Sequence, residues 1–293
     1  MALIITITMP TATQIVEALL TPSIPVILLG FLIMIGGPIL LHFVLASSAT
    51  YTIAPTVLLV GPENAGKTSL LTLLERGTNP ADTHTTQRTQ SVELNATTDA
   101  KTKGSFRNHD DSSGTYTKFL LVDTPGHGKL RNVAMAKLAD ADKLKAVVFM
   151  VDAAALGEQE TLAPTAAYLY DVLLHLQRRA GNKGKNKAAV PVLIAANKMD
   201  LFTALPANLV KSQLENELTR IRASKSKGLL DSGVGVDEIG SEEQDSWLGE
   251  YGSEKFSFQQ MGEFDIDVEV VPGSVTTKEA DVDKWWWWMA QRV

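Results

Sequence analysis

Apolar residues are concentrated near the N-terminus of the 293-residue chain, where residues 24–46 contain no Asp, Glu, Lys or Arg. As an α-helix this stretch extends about 34 Å, enough to cross the hydrocarbon core of a bilayer. A cleaved signal peptide is the alternative, because Ala46-Ser47-Ser48 resembles a cleavage site, but residues 1–22 lack the basic residues that precede such signals. The pattern predicts a short segment at 1–22, a transmembrane helix at 23–46 and a linker at 47–54.

From residue 55 onwards, short apolar runs alternate with longer amphipathic segments. The apolar runs predict six strands, at residues 56–61, 89–95, 117–123, 145–151, 190–196 and 267–272. The amphipathic segments predict helices at residues 67–75, 129–141, 160–179, 206–223 and 278–291. Strands that alternate with helices indicate an α/β domain at 55–293, with a mostly parallel six-stranded sheet covered by helices on both faces.

Two polar insertions interrupt this pattern, at residues 97–114 and 226–255. Their composition predicts disorder, and Trp247–Tyr251 offers the alternative of a partner-binding acidic motif. The second insertion holds eight acidic residues and two lysines, which accounts for the whole net charge of −6. The chain therefore has no excess of positive charge for binding nucleic acid, and the absence of cysteine excludes a disulfide framework and a thiolate zinc site.

The first predicted strand ends in a glycine-rich loop that matches G-x-x-x-x-G-K-[ST]. Backbone N–H groups of such a loop surround phosphates, Lys67 neutralises the β- and γ-oxygens, and the Thr68 hydroxyl ligates Mg²⁺. A glycine-rich turn with an accidental Lys-Thr pair is the alternative, which the flanking strand and helix disfavour. The predicted phosphate-binding residues are Gly61, Pro62, Glu63, Asn64, Ala65, Gly66, Lys67, Thr68 and Ser69.

A second motif, Asp-Thr-Pro-Gly-His, follows the third predicted strand. Asp123 is placed to hold the metal ion through water, and the Gly126 N–H to bond the γ-phosphate. His127 is the candidate catalytic residue that orients or activates the attacking water. Arg88 and Arg131 flank these segments, but neither is identifiable as an arginine finger. We therefore expect slow or partner-dependent GTP hydrolysis, with independent turnover as the alternative.

A third motif, Asn-Lys-Met-Asp, follows the fifth predicted strand and predicts recognition of guanine. The Asp200 carboxylate accepts hydrogen bonds from the N1–H and the amine of guanine, which adenine lacks, a difference worth about 10⁴-fold in selectivity. Asn197 is placed to bond the other base edge, and the stem of Lys198 to cover the ring. After the last strand, backbone amides at Ser274 and Val275 are placed to meet the guanine O6. These motifs in this order predict that GTP or GDP binds with Mg²⁺.

Four consecutive tryptophans, Trp285–Trp288, lie in the last predicted helix. At about 100° per residue they point around most of the helix, so a sheet on one side cannot bury all four. We expect two buried and two half-exposed indoles. The alternative places the outer rings at a membrane interface or against a partner.

The apolar span, GPENAGKTSLL, DTPGHGKLR, NKMD and the late GSV together resemble the beta subunit of the signal recognition particle receptor, a membrane-anchored relative of the Arf-type small GTPases. The most specific part is residues 123–131, because GTPases of the Ras and Arf types usually carry Gln where His127 stands. Translational GTPases share D-x-P-G-H but contain large additional domains. A membrane-anchored Arf-type GTPase of vesicle trafficking is the alternative.

The resemblance implies a P-loop GTPase fold in the cytosol, anchored in the endoplasmic reticulum membrane by residues 24–46, with residues 1–22 in the lumen. It implies GTP-dependent binding of the receptor's alpha subunit through the switch regions, for cotranslational targeting of ribosome–nascent-chain complexes. The ribosome and the translocon are further candidate partners, and no sequence-specific nucleic-acid binding is expected. By family spacing, the threonine of the first switch loop that completes the Mg²⁺ shell is Thr85 rather than Thr86.

Overall fold

The computed structural model describes residues 24–48, 54–77, 83–97, 106, 116–140, 143–181, 190–231, 247–276 and 280–293. The chain divides into two units, Met1–Ile53 and Ala54–Val293. In the first unit, helix α1 spans Ile24–Ser48 and contains Pro38. The predicted segment at 1–22 and most of the predicted linker lie outside the described residues. Among the described residues, no helix has the length and apolar character needed to cross a membrane.

A six-stranded sheet forms the centre of the second unit. Its strands are β1 (Thr56–Val60), β2 (Gln90–Thr97), β3 (Tyr116–Asp123), β4 (Leu144–Asp152), β5 (Val192–Asn197) and β6 (Val268–Pro272). They lie in the order β2-β3-β1-β4-β5-β6, with β2 antiparallel to β3 and all other neighbours parallel. The six predicted strands are confirmed to within two residues at each end.

Helices cover both faces of this sheet. They are α2 (Lys67–Arg76), α3 (Arg131–Asp140), α4 (Gln159–Gly181), α5 (Ala207–Asp231) and α6 (Asp283–Ala290), with 3₁₀ helices at Gly128–Leu130 and Phe258–Phe264. Along β1, Leu58 and Val60 face a core shared with α3, α4 and α5, whereas Val57 and Leu59 face a core shared with α2 and α6. Because both faces are buried, the central strands are continuous apolar runs, and that is why sequence patterns located them.

Part of the second polar insertion is folded, contrary to the prediction of disorder. Helix α5 continues to Asp231, and its Arg222 contacts Trp247, Leu248 and Ser253. Arg222 of α5 lies over the Trp247 ring at 4.5 Å and donates a hydrogen bond to the Leu248 carbonyl at 3.2 Å. A buried guanidinium needs such acceptors, and burial lowers its pKa. Trp247 and Leu248 therefore contact their own domain; residues 232–246 lie outside the described residues.

The tryptophan run is more buried than expected. Trp285, Trp286 and Trp288 are buried, and Trp287 is half-buried. The sheet covers one side of α6, and the Arg292 guanidinium lies 4.0 Å from the centre of the Trp288 ring. The expectation of two half-exposed rings is therefore wrong, because the prediction counted only the sheet as cover. Of the four rings, Trp287 is the one exposed enough to contact a membrane interface or a partner, as the alternative interpretation requires.

Candidate nucleotide-binding site

The predicted motifs come together at one edge of the sheet. Strands β1, β3, β4, β5 and β6 run parallel, so their carboxyl ends share the edge at which open α/β sheets bind ligands. The loop after β1 holds the glycine-rich motif, and the loop after β3 holds Asp-Thr-Pro-Gly-His. The loops after β5 and β6 hold Asn-Lys-Met-Asp and Gly-Ser-Val. All four parts of the predicted site are thus neighbours.

Two glycines allow the glycine-rich loop to pack closely on β4 and β5. Gly61 has a φ of 144°, and a Cβ there would lie 2.3 Å from the Met150 carbonyl oxygen. Gly66 has a φ of 94°, and a Cβ there would lie 2.2 Å from Asn197 Nδ2. Both positions combine a left-handed backbone with contacts too short for any side chain. The loop therefore requires glycine at both ends.

Lys67 is buried within this loop. Its Nζ donates hydrogen bonds to the carbonyls of Gly61 (2.9 Å) and Pro62 (2.6 Å). Burial lowers the pKa of Lys67 to about 8, against the opposing attraction of Asp123 and Glu63. A desolvated ammonium of this kind is stabilised by an added negative charge. The position is therefore suited to a phosphate group.

Next to the lysine, three oxygen-bearing side chains from distant segments meet. Thr68 Oγ1 donates to Asp123 Oδ2 at 2.7 Å, and Thr86 Oγ1 donates to the same oxygen at 3.2 Å. The two threonine hydroxyls also contact each other. They border a cavity of about 250 Å³ that is lined by Glu63, Asn64, Gly66, Lys67, Thr68, Ser69, Thr83, His84, Thr85, Thr86 and Gly126.

These groups fit a magnesium ion. Asp123 is fully buried, its Oδ1 has no hydrogen-bond partner among the described residues, and burial raises its pKa. A buried carboxylate oxygen without a donor is costly unless a proton or a cation satisfies it. Hydroxyl and carboxylate oxygens are ligands that Mg²⁺ prefers, with phosphate and water in its other positions. Among the described residues, no group of three or more His, Cys, Asp or Glu side chains is placed to hold a metal ion.

The choice of Thr85 as the magnesium ligand of the first switch loop stays a prediction, and the structure adds Thr86 as a second candidate. Thr85 lines the cavity, but the hydroxyl that reaches Thr68 and Asp123 belongs to Thr86. Neighbouring residues of a non-helical segment present their side chains on different sides, so only one of the two hydroxyls reaches these groups. Thr83 contributes separately, since its hydroxyl contacts Ser69 Oγ at 2.9 Å.

The second switch loop contributes Gly126 to the cavity, whereas His127 lies outside the cavity lining. A Cβ at Gly126 would lie 2.5 Å from Lys67 Nζ, so this loop contacts the phosphate loop directly. His127 is exposed, and its Nδ1 accepts a hydrogen bond from the Lys129 N–H at 3.3 Å. Arg131 donates to the Pro164 carbonyl at 3.3 Å. In this conformation the candidate catalytic histidine caps a 3₁₀ helix.

The predicted nucleotide cleft extends along this edge of the sheet from the cavity to the loops after β5 and β6. At this second end, Asn197 joins two loops rather than presenting its amide freely. It is 2 % exposed, its Nδ2 donates to the Ala65 carbonyl at 2.8 Å, and its Oδ1 accepts from the Val275 N–H at 3.2 Å. The Ser274 N–H donates to the Asp281 carbonyl at 3.1 Å. The backbone amides of Ser274 and Val275, which were predicted to meet the guanine O6, therefore donate to protein acceptors. The sequence motif did not indicate this structural role.

Asp200 and Lys198 are each held by a partner residue. Asp200 is exposed, and its Oδ1 accepts a hydrogen bond from the Ser274 hydroxyl, which orients the carboxylate. Lys198 Nζ donates to Asp152 Oδ2 at 2.6 Å. Asp152 is a further residue of this site and belongs to none of the sequence motifs. Asp152 could have been predicted as a site residue because it is acidic and ends a central parallel strand, and the carboxyl ends of such strands form the ligand-binding edge.

Comparisons with known proteins agree with this site. The family model "Signal recognition particle receptor beta subunit" matches residues 52–264. The receptor's beta subunit from Saccharomyces cerevisiae is 34% identical over 180 residues, covering 60% of this chain and 61% of the yeast protein. The Mus musculus protein is 31% identical over 240 residues, covering 80% of this chain and 76% of its own length. The chain thus spans about three-fifths of the yeast relative.

Solved structures give the same result. The Chaetomium thermophilum "SRb-GTP/SRX complex" superposes with a TM-score of 0.69 at 41% identity, covering 82% of this chain and 100% of that one. The "SRb-GDP-Mg" structure from the same organism has a TM-score of 0.62 at 41% identity, covering 84% and 100%. The chain therefore belongs to the signal recognition particle receptor beta subunit family.

Proposed function

We propose that this protein is a GTP-dependent binding subunit of a signal recognition particle receptor, which anchors the receptor's alpha subunit to the endoplasmic reticulum membrane. The observation that carries the proposal is the contact of Thr86 with Thr68 and Asp123. It closes the first switch loop over the cavity beside Lys67. A loop in this position can respond to what the cavity contains.

The switch follows from the chemistry of these groups. Bound Mg²⁺ would neutralise phosphate charge, held by the hydroxyls of Thr68 and Thr86 and, through water, by Asp123. The Gly126 N–H would meet the γ-phosphate from the second switch loop. Loss of the γ-phosphate would weaken the contact of the first switch loop with Mg²⁺ and remove the contact of Gly126 in the second. Both loops could then move. A partner that binds the closed loops would therefore prefer the GTP-bound protein.

The comparisons support this assignment. One solved relative is described as a complex of SRb-GTP with SRX, and others as SRb-GDP and SRb-GDP-Mg. Those ligands and that partner belong to the Chaetomium thermophilum protein. This chain carries candidate groups for such ligands at one edge of its sheet: Lys67, Thr68 and Asp123 after β1 and β3, and Asp200 after β5.

Anchoring through residues 24–46 is part of the proposal. The segment has no charged residue, and Phe31 and Leu32 in helix α1 are 61% and 69% exposed. A continuous apolar surface of this kind is unfavourable in water. Carbonate extraction of membranes containing the full chain tests it: retention in the pellet is expected. Release into the supernatant would contradict the anchor and favour the reversible association expected of a trafficking GTPase.

The central experiment is a nucleotide-dependent pulldown. The full chain in detergent micelles is loaded with GTP or GDP and passed over an immobilised N-terminal domain of a receptor alpha subunit. We expect at least about tenfold stronger retention with GTP, the range of coupling between ligand sites that a switch provides. Thr86→Ala should remove the difference, with Thr85→Ala as the matched control. Equal retention with GTP and GDP would contradict the switch.

Slow hydrolysis in the absence of a partner is the last part of the proposal. The exposed His127 accepts a hydrogen bond from its own loop and lies outside the cavity lining. It would have to move before it could orient water. Single-turnover hydrolysis by the full chain should therefore be far slower than about one per second, a typical enzymatic rate. A rate near that value, lost in His127→Ala, would identify an independent GTPase instead.

A further inference from the structure

Asp152 is the last residue of β4, and its two carboxylate oxygens hold two different parts of the site. Oδ1 accepts hydrogen bonds from the backbone N–H groups of Ala154 (3.0 Å) and Ala155 (3.3 Å), which fixes the turn after β4. Oδ2 accepts a hydrogen bond from Lys198 Nζ at 2.6 Å. One carboxylate therefore links this turn to the lysine of the Asn-Lys-Met-Asp sequence.

The backbone of Lys198 is also fixed. Its φ of 64° lies in the left-handed region, which is unfavourable for a residue with a Cβ. Asp152 pairs with Asn197 in the β4–β5 register, and the Ala153 N–H donates to the Asn197 carbonyl at 3.0 Å. The Lys198 stem thus runs between two fixed ends, its backbone and its ammonium.

The ion pair is sheltered enough to restrain this side chain. Lys198 and Asp152 have side-chain exposures of 24% and 18%. Partial burial reduces screening by water and salt, so the attraction exceeds that of a fully exposed pair. Without the carboxylate, a lysine samples many rotamers, and ordering its stem during binding would reduce affinity.

We propose that Asp152 is a positioning residue for guanine nucleotides. By holding the Lys198 ammonium, it keeps the aliphatic stem where the guanine ring is expected before the nucleotide arrives. The inference rests on the proposed function, since it assumes that this cleft binds GTP and GDP. A pre-ordered stem loses less entropy on binding, and its loss should appear mainly as faster nucleotide dissociation.

The test measures dissociation of fluorescent GDP from the full chain in detergent micelles. Asp152→Asn retains an oxygen for the N–H groups of Ala154 and Ala155 but removes the charge that holds Lys198. We expect dissociation to accelerate about fivefold to tenfold, as coupling between contacting residues allows. Asp267→Asn is the matched control, because it breaks the ion pair with Arg292, whose side chain is 23% exposed, beyond the opposite end of β6. Its dissociation rate should equal that of the wild type.

Lys198→Met separates positioning from a general loss of stability, because methionine retains an aliphatic stem without the ammonium. This variant alone should accelerate dissociation by the same factor as Asp152→Asn, so the inference stays testable even if Asp152→Asn folds poorly. In the Lys198→Met background, Asp152→Asn should add less than about twofold. Equal acceleration by Asp152→Asn in both backgrounds, or none in either, would overturn the inference. A wild-type chain that binds no guanine nucleotide would overturn the proposed function instead.

Discussion

The two ends of the cleft use buried polar groups differently. At the phosphate end, defined by Lys67, Thr68, Thr86 and Asp123, charge is incompletely compensated: Asp123 Oδ1 has no partner among the described residues, and burial shifts the pKa of Lys67 down and that of Asp123 up. At the base end, defined by Asn197, Lys198, Asp200 and Ser274, hydrogen bonds pair these side chains with other protein groups. The phosphate end therefore has charge that a ligand can compensate, whereas the side chains of the base end are already hydrogen-bonded to protein groups.

This difference separates binding from folding. A group whose charge awaits a ligand contributes little to the stability of the nucleotide-free protein, and it can even reduce that stability. A group whose hydrogen bonds join distant loops contributes stability whether or not a ligand is bound. Substitutions at the phosphate end should therefore weaken binding and spare the fold. Substitutions at the base end should reduce the free energy of unfolding itself.

The largest expected effect is on binding at the phosphate end. Lys67→Ala should weaken GDP binding about 10²- to 10³-fold, because truncating one partner of a buried charge pair costs several kcal/mol. Fluorescent GDP titration of the full chain measures it. Lys145→Ala is the control, since that lysine is exposed within β4. Loss of affinity below about tenfold would show that the buried ammonium does not contact phosphate.

The next effect concerns folding at the base end. Asn197→Ala leaves the Ala65 carbonyl and the Val275 N–H without their side-chain partner. We expect the free energy of unfolding of the nucleotide-free protein to fall by about 3 kcal/mol, since buried unsatisfied groups are costly. Urea unfolding followed by circular dichroism measures this change. Asn208→Ala, at an exposed position of α5, should change it by less than about 0.5 kcal/mol. Equal free energies of unfolding for Asn197→Ala and Asn208→Ala would contradict the claim that the base end stabilises the nucleotide-free fold.

The pKa of Lys67 predicts a pH dependence. Its pKa falls from 10.5 to about 8 on folding, so the unfolded state binds more protons between these values. Stability of the nucleotide-free protein should therefore rise with pH, by about 2 kcal/mol from pH 7.5 to pH 9.5. The rise should be absent in Lys67→Met and in protein saturated with GDP, whose phosphates restore the lysine's charge. Tyr168 and Tyr170, whose pKa values rise from 10.0 to about 12 on folding, oppose this rise by only about 0.3 kcal/mol, because the unfolded-state tyrosines ionise little below pH 9.5.

Sequence patterns predicted the elements and loops that depend on neighbouring residues. The six strands are apolar runs, and the phosphate loop and the Asn-Lys-Met-Asp loop each follow one of them. Contacts between distant segments had no such signal. The pairing of Asp152 with Lys198, the bridging role of Asn197 and the packing of Trp247 on Arg222 each join residues far apart in the chain. The contact of Thr86 with Asp123 had no sequence signal either, because Thr85 and Thr86 are adjacent in a segment without regular structure.

The last prediction tests how the first switch loop joins the phosphate end. Thr86 Oγ1 donates to Asp123 Oδ2 at 3.2 Å, whereas Thr85 only lines the cavity. Thr86→Ala should therefore reduce Mg²⁺-dependent GTP affinity about tenfold, the equivalent of one charge-assisted hydrogen bond. Thr85→Ala should change it by less than about twofold. GTP titrations with and without Mg²⁺ measure both variants.

GDP supplies the control that makes this prediction specific to the switch. A γ-phosphate with its Mg²⁺ adds contacts that stabilise the closed first switch loop, so Thr86→Ala should change GDP affinity much less than GTP affinity. Thr86→Ser, which retains the hydroxyl, should restore most of the GTP affinity. If Thr86→Ala and Thr85→Ala weakened GTP equally, or if Thr86→Ala weakened GDP as much as GTP, the hydroxyl contact would be packing within the loop. The phosphate end would then bind nucleotide without sensing the γ-phosphate through this loop.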